Sequence, residues 1–172
     1  SNMASWRHSD SVLDGAINFD YYRSLVRTAE AAKLDFVFFA DGPYISEKSH
    51  PNFLNRFEPL TLLAALASET SRIGLAATLS TTYSDPYTVA RQFSSIDHLS
   101  GGRFVLGLGA GCHESDAAAY GYDFPAIGTR LDMLEEAIVL TRGLRTQERP
   151  SFEGDNDKVW LVYTIPSTRD IT

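Results

Sequence analysis

The sequence has 172 residues, 44% of them apolar and 22% charged, with a net charge of −7; these are the proportions of one packed globular domain, not of a disordered chain. Its Lys and Arg residues stand singly, as at Arg23, Arg27, Lys33 and Arg72, so there is no basic stripe of the kind that binds nucleic acid. Cys112 is the only cysteine, which excludes an intrachain disulfide, and His8, His50, His98 and His113 lack the short spacings of a zinc site.

No apolar run reaches the roughly 20 residues of a membrane span, and the N-terminus lacks the charged-then-apolar layout of a signal peptide. A cytoplasmic location is expected. Ser1-Asn2 ahead of Met3 reads as the remnant of a cleaved purification tag.

Residues 3–17 are polar and irregular. Phe19, Tyr22, Val26 and Ala29 then recur at helical spacing, with Asn18 or Asp20 available as N-cap, and predict a helix to about Lys33. Asp35 to Ala40 is an apolar run of strand length that stops at the turn-forming Asp41-Gly42-Pro43. A long polar loop from Tyr44 to Arg56 leads to Pro59, suited to the first turn of a helix presenting Leu60, Leu63, Ala64 and Ala67.

Ile73 to Leu79 reads as a second strand ending in Ser80-Thr81-Thr82-Tyr83. Asp85 and Pro86 form an N-cap and first-turn pair for a helix with Val89, Phe93 and Ile96 on one face, stopped at Ser100-Gly101-Gly102. Phe104 to Leu108 is a third strand running into Gly109-Ala110-Gly111-Cys112-His113-Glu114. A helix is expected from about Ser115, with an interruption from Tyr122 to Gly128. Thr129 and Asp132 resemble a capping box that opens a last helix, with Leu131, Leu134 and Ile138, to about Leu144. Residues 146–156 have linker or turn composition, and Val159 to Tyr163 have strand character without an identifiable partner.

Strands alternating with helices are the signature of parallel βαβ units, so the expected class is α/β. Right-handed crossovers bring the carboxyl ends of all three strands to one rim, where α/β folds carry their chemistry. That rim consists of Asp41-Gly42, Ser80 to Tyr83, and Gly109 to Glu114.

These segments, in this order, resemble the bacterial luciferase-like, flavin-dependent monooxygenases, and most closely the nitrilotriacetate monooxygenase component A branch. Trp6-Arg7-His8, Phe19-Asp20-Tyr21-Tyr22, Phe38-Phe39-Ala40-Asp41-Gly42, Arg56-Phe57-Glu58-Pro59-Leu60, Ile73 to Thr81, Asp85-Pro86-Tyr87 and Asp97-His98-Leu99-Ser100-Gly101-Gly102-Arg103 carry the resemblance. From Phe104 onward, Gly107 to Glu114 and Arg130-Leu131-Asp132-Met133-Leu134-Glu135-Glu136 are similar to the family's wider membership, including its deazaflavin-dependent members.

The resemblance implies a partial (β/α)₈ (TIM) barrel, about half a barrel, over residues 3–145, with residues 146–172 as a C-terminal extension. A complete barrel usually needs roughly 250 residues, and its later loops commonly bind the cofactor phosphate. A truncated member is therefore expected. In the full-length family, reduced FMN and O₂ oxidise a small organic substrate, with deazaflavin (F420) as the alternative cofactor and a separate flavin reductase as a partner.

The resemblance places Asp41, Ser80 and Thr81 near the isoalloxazine ring, with His113 and Tyr120 as further cofactor-binding candidates. Plainer roles stand beside these: Asp41 as a turn cap, Ser80 and Thr81 as partners of loop backbone, His113 as a rim histidine. Gly107, Gly109 and Gly111 lack the third glycine of a dinucleotide fingerprint and fit close packing in a barrel strand better. An unfinished barrel exposes two sheet edges, so a homodimer is expected, by joined sheets or packed helices. The competing reading is a noncatalytic flavin-binding or structural dimeric protein that keeps the scaffold.

Overall fold

The computed structural model describes residues 7–42, 47, 49 and 56–159. Helix α1 (Phe19–Ala31) starts where Asn18, in extended conformation, accepts the Tyr21 N–H through its side-chain oxygen at 3.0 Å. Its stripe of Phe19, Tyr22, Val26 and Ala29 lies in the core. Lys33, at φ 62°, turns the chain back into strand β1 (Phe36–Phe39).

Helix α2 (Pro59–Ala67) opens with Pro59 in its first turn and Glu58 as N-cap. The Glu58 carboxylate accepts the N–H groups of Leu60 (2.8 Å) and Thr61 (2.7 Å), so one side chain satisfies two orphan donors. Strand β2 (Gly74–Ser80) follows, then helix α3 (Pro86–Leu99), capped by Asp85 through the Thr88 N–H at 2.8 Å. Strand β3 (Phe104–Gly109) leads to the short helix α4 (Glu114–Tyr120) and the 20-residue helix α5 (Ile127–Thr146).

The three strands form one parallel sheet in the order β1-β2-β3. Val37 pairs with Leu75 and Phe39 with Ala77, while Leu75 pairs with Phe104 and Ala77 with Leu106. Side chains alternate across a strand, so these residues share the face that α1, α2 and α3 cover, and all belong to the main core. Leu63, Leu66, Ile73 and Leu75 are fully buried there; burying a side chain of this size stabilises the fold by about 1.5–3 kcal/mol. The alternate set, Phe36 and Phe38 of β1, Ala76, Thr78 and Ser80 of β2, and Val105, Gly107 and Gly109 of β3, lies on the opposite face. There Phe36, Val105 and Phe38 are 58%, 56% and 54% exposed.

Polar staples hold the amino ends of the strands. Glu30 of α1 accepts the N–H groups of Ser71 (2.9 Å), Arg72 (2.6 Å) and Ile73 (3.0 Å), which fixes the entry to β2. Arg103, just before β3, donates to the carbonyls of Ser100, Ile73, Ala67 and Thr70 and to the Thr70 hydroxyl. On the helix side, Arg145 of α5 pairs with the buried Asp97 of α3 at 2.8 Å and stacks over the Phe93 ring at 4.1 Å.

Two expectations change. Helix α5 begins at Ile127, with Ala126 as an extended N-cap that makes no side-chain cap bond, so Thr129 and Asp132 lie inside the helix and form no capping box. Pro125 and the extended Ala126 turn the chain early, and Arg130 ties that turn back by donating to the Pro125 carbonyl at 2.8 Å. Within the expected linker, strand β4 (Phe152–Glu153) pairs antiparallel with strand β5 (Lys158–Val159), giving Val159 the partner that its sequence did not reveal. Phe152 packs against Leu140 and Leu144 of α5. The Glu136 carboxylate gathers the backbone N–H groups of Asp155, Asn156 and Asp157. The remainder of the apolar run 159–163 and most of the loop 44–56 lie outside the described residues.

Candidate functional site

The carboxyl ends of β1, β2 and β3 meet around a cavity of about 460 Å³. Asp41 and Glu58 stand on one side of it, Thr78 and Ser80 of β2 in the middle, and Gly109 at the end of β3 and Gly111 just after it beyond them. Tyr83, Tyr120 and Tyr122 supply an aromatic wall, with the Tyr83 and Tyr122 rings 5.2 Å apart.

Each part of the rim is tied to the next. The Asp41 N–H donates to the Thr78 hydroxyl at 3.1 Å, joining the exit of β1 to β2. The Gly42 N–H donates to the Asp41 carboxylate at 2.7 Å. Thr81 donates to the Gly109 carbonyl through its N–H at 2.9 Å and its hydroxyl at 3.3 Å, and the Thr82 hydroxyl donates to the Ala110 carbonyl at 2.8 Å. The Tyr83 hydroxyl reaches the His113 carbonyl at 3.0 Å.

Desolvation at the cavity wall pushes the Asp41 carboxyl above the ordinary aspartate range. The Gly42 N–H opposes this, the nearby Glu58 carboxylate adds to it, and the Arg56 guanidinium opposes it. Asp41 therefore holds its proton to a higher pH than a solvated aspartate does.

Of the five residues singled out from the sequence, Asp41, Ser80 and Tyr120 line the cavity together. Thr81 and His113 are not among its lining residues: the Thr81 side chain is 8% exposed and turned to Gly109, and the exposed His113 stands at the N-cap of α4. Thr78, Glu58 and Gln92 line the cavity without having been foreseen. Thr78 was legible from strand periodicity, since it lies two residues before Ser80 on the same face. Glu58 immediately precedes a first-turn proline, the N-cap position, whereas Gln92 carries no linear signal.

The residues present suit a flat heteroaromatic ring. Gly107 and Gly109 leave the sheet bare beside Thr78 and Ser80; a Cβ on Gly109 would meet only the Leu79 carbonyl, at 3.9 Å, and would fill the cavity floor. A Cβ on Gly107 would lie 2.9 Å from the Thr78 methyl group. Hydroxyls, a carboxyl and aromatic faces surround that floor, which matches a ligand with ring donors, acceptors and a π surface. Among the described residues no group of three His, Cys, Asp or Glu side chains could hold a metal ion, and no helix is long and apolar enough to cross a membrane.

Comparison with known proteins agrees with this geometry. The luciferase-like monooxygenase family matches residues 2–169. N-acetyl-S-(2-succino)cysteine monooxygenase of Bacillus subtilis (strain 168) is 49% identical over 144 residues, covering 83% of this chain and 33% of that protein. Nitrilotriacetate monooxygenase component A of Aminobacter aminovorans is 39% identical over 136 residues, covering 71% of this chain and 30% of that one. A riboflavin lyase solved with modified FMN and riboflavin superimposes with a TM-score of 0.82 at 28% identity, over 94% of this chain and 43% of the lyase. The chain thus spans about a third of the length of the curated relatives it matches, and its sheet and helices correspond to about half of the barrel of its structural neighbours. On the family match and the rim it accounts for, this chain belongs to the luciferase-like monooxygenases.

Proposed function

We propose that the chain contributes the β1–β3 side of an FMN site in a cytoplasmic enzyme that oxidises a small organic substrate. The observation that carries this reading is the cavity bounded by Asp41, Ser80 and Tyr120 over the bare glycine floor of β3. When bound, reduced flavin supplies the electrons that activate O₂.

The chain's own residues have separable tasks. Asp41, its carboxyl raised above the ordinary aspartate range by desolvation, would face the ring edge as a polar partner. The Ser80 and Thr78 hydroxyls would hold polar atoms of the ring, and Tyr83, Tyr120 and Tyr122 would keep water from one side. Thr81 and His113 serve from behind the wall, Thr81 by holding Gly109 and His113 by accepting the Tyr83 hydroxyl on its carbonyl. FMN is favoured over deazaflavin because the relatives at 49% and 39% identity are monooxygenases; a deazaflavin-dependent glucose-6-phosphate dehydrogenase, 35% identical over 133 residues, keeps that alternative in the test. A separate reductase and a second copy of the chain complete the assignment.

A titration of the purified chain followed by flavin fluorescence tests this. Saturable quenching of FMN, and weaker or no quenching of deazaflavin, is expected. No binding at high micromolar FMN overturns the reading. The half-exposed Phe36, Phe38 and Val105 favour a second reading, a noncatalytic or structural dimer, which predicts association without flavin binding.

A further inference from the structure

Arg130, in the first turns of α5, is 8% exposed although it carries a charge. Its guanidinium carbon lies over the Phe124 ring, 3.8 Å from the centroid, a contact that suits a weakly hydrated cation. From there Nε donates to the Ala110 carbonyl at 3.1 Å and Nη1 to the Pro125 carbonyl at 2.8 Å. The Ala110 carbonyl also accepts the Thr82 hydroxyl at 2.8 Å. One backbone oxygen thus joins the loop after β2, the loop after β3 and the start of α5.

The next residue, Gly111, lines the cavity at φ +69°. Its missing Cβ would sit 2.9 Å from the Ser80 hydroxyl and 3.0 Å from that of Thr82. The peptide between Ala110 and Gly111 therefore has little freedom, and the charged donor on its carbonyl fixes which way it faces.

We propose that Arg130 is the positioning residue of the flavin rim. It acts through the Ala110 carbonyl, setting the distance of Gly109 and Gly111 from Ser80 without touching the ligand. This rests on the reading of the cavity as a flavin site, but its local consequence in the protein does not.

The full chain is compared as wild type, Arg130→Ala, Arg130→Lys and Thr82→Val by residue-resolved amide exchange and by FMN titration. The Thr81 amide, bonded to Gly109 at the rim, and the Leu75 amide, bonded to Arg103 at the opposite end of the same strand pair, serve as internal probes. A clamp predicts that Thr81 exchanges at least tenfold faster in Arg130→Ala while Leu75 is unchanged. It predicts a weaker effect of the same pattern in Thr82→Val, which stays testable should the alanine variant fold poorly. FMN affinity falls at least tenfold in Arg130→Ala and is partly restored in Arg130→Lys, whose ammonium reaches one carbonyl.

Equal acceleration at Thr81 and Leu75 would mean a merely structural arginine and overturn the proposal. Unchanged Thr81 exchange, or full FMN affinity in Arg130→Ala, overturns it as well. If the wild-type chain binds no FMN, the functional reading falls, while the Thr81-to-Leu75 comparison still decides the clamp.

Discussion

Gly111 bears a tight steric demand on the rim, because its backbone is left-handed and its two nearest neighbours are the hydroxyls of Ser80, which lines the cavity, and Thr82, which ties the loop to Ala110. Gly111→Ala adds a methyl group at 2.9 Å from the Ser80 oxygen in a conformation that costs an L-residue about 1–2 kcal/mol. The expected outcome is a loss of about that much in urea-denaturation stability together with loss of FMN binding. A variant with wild-type stability and affinity would contradict the described turn. At this scale the sequence was informative where chemistry and position coincide, as for Asp41 and Ser80 at strand ends. It named Arg130 only within a stretch that carries the family resemblance, and its tie to Ala110, 20 residues away, became visible only in the fold.

At the scale of elements, helices and strands were legible because caps and periodicity agreed: Asn18, Asp85 and Pro59 mark starts that the structure keeps. The start of α5 was misplaced because Thr129 and Asp132 imitate a capping box, while at the real start Ala126 is the N-cap and Arg130 donates back to the Pro125 carbonyl, five residues away. The β4–β5 hairpin was unreadable, since each strand has two residues and Glu136, distant in sequence, holds the turn.

Glu30 gives this scale a pH-dependent prediction. Three N–H groups, Arg72 first, then Ile73 and Ser71, lower its carboxyl from 4.5 to about 2. On acidification the unfolded chain takes up this proton before the folded one, so the stabilisation is complete above pH 4.5 and is lost as pH falls from there toward 2. The urea midpoint of the wild type should drop more steeply across this window than that of Glu30→Gln. Parallel curves for the two proteins would show that the staple is not charged in the folded state.

For the whole molecule, the governing feature is a sheet that, among the described residues, is covered by helices on one face only. Phe36, Phe38 and Val105 stand more than half exposed on the other, and a contiguous apolar surface of this kind favours association. Light scattering should give twice the monomer mass, and Phe38→Asp should return the monomer if the open faces join. A dimer that survives Phe38→Asp would place the contact on the helices instead. The class of fold was readable from alternating runs, but how much of a barrel they close is set by pairing between distant strands and has no local signature.

The central claim is that the carboxyl ends of three parallel strands form one flavin-binding surface. Backbone amide chemical shifts of isotope-labelled protein during FMN addition test it most directly. The account predicts shifts concentrated at Asp41, Ser80, Gly109 to Gly111 and Tyr120, with the Glu30 and Arg103 staples at the opposite end unaffected. Saturation with shifts confined to the staples or to the outer helices, or no shifts at all, would contradict it.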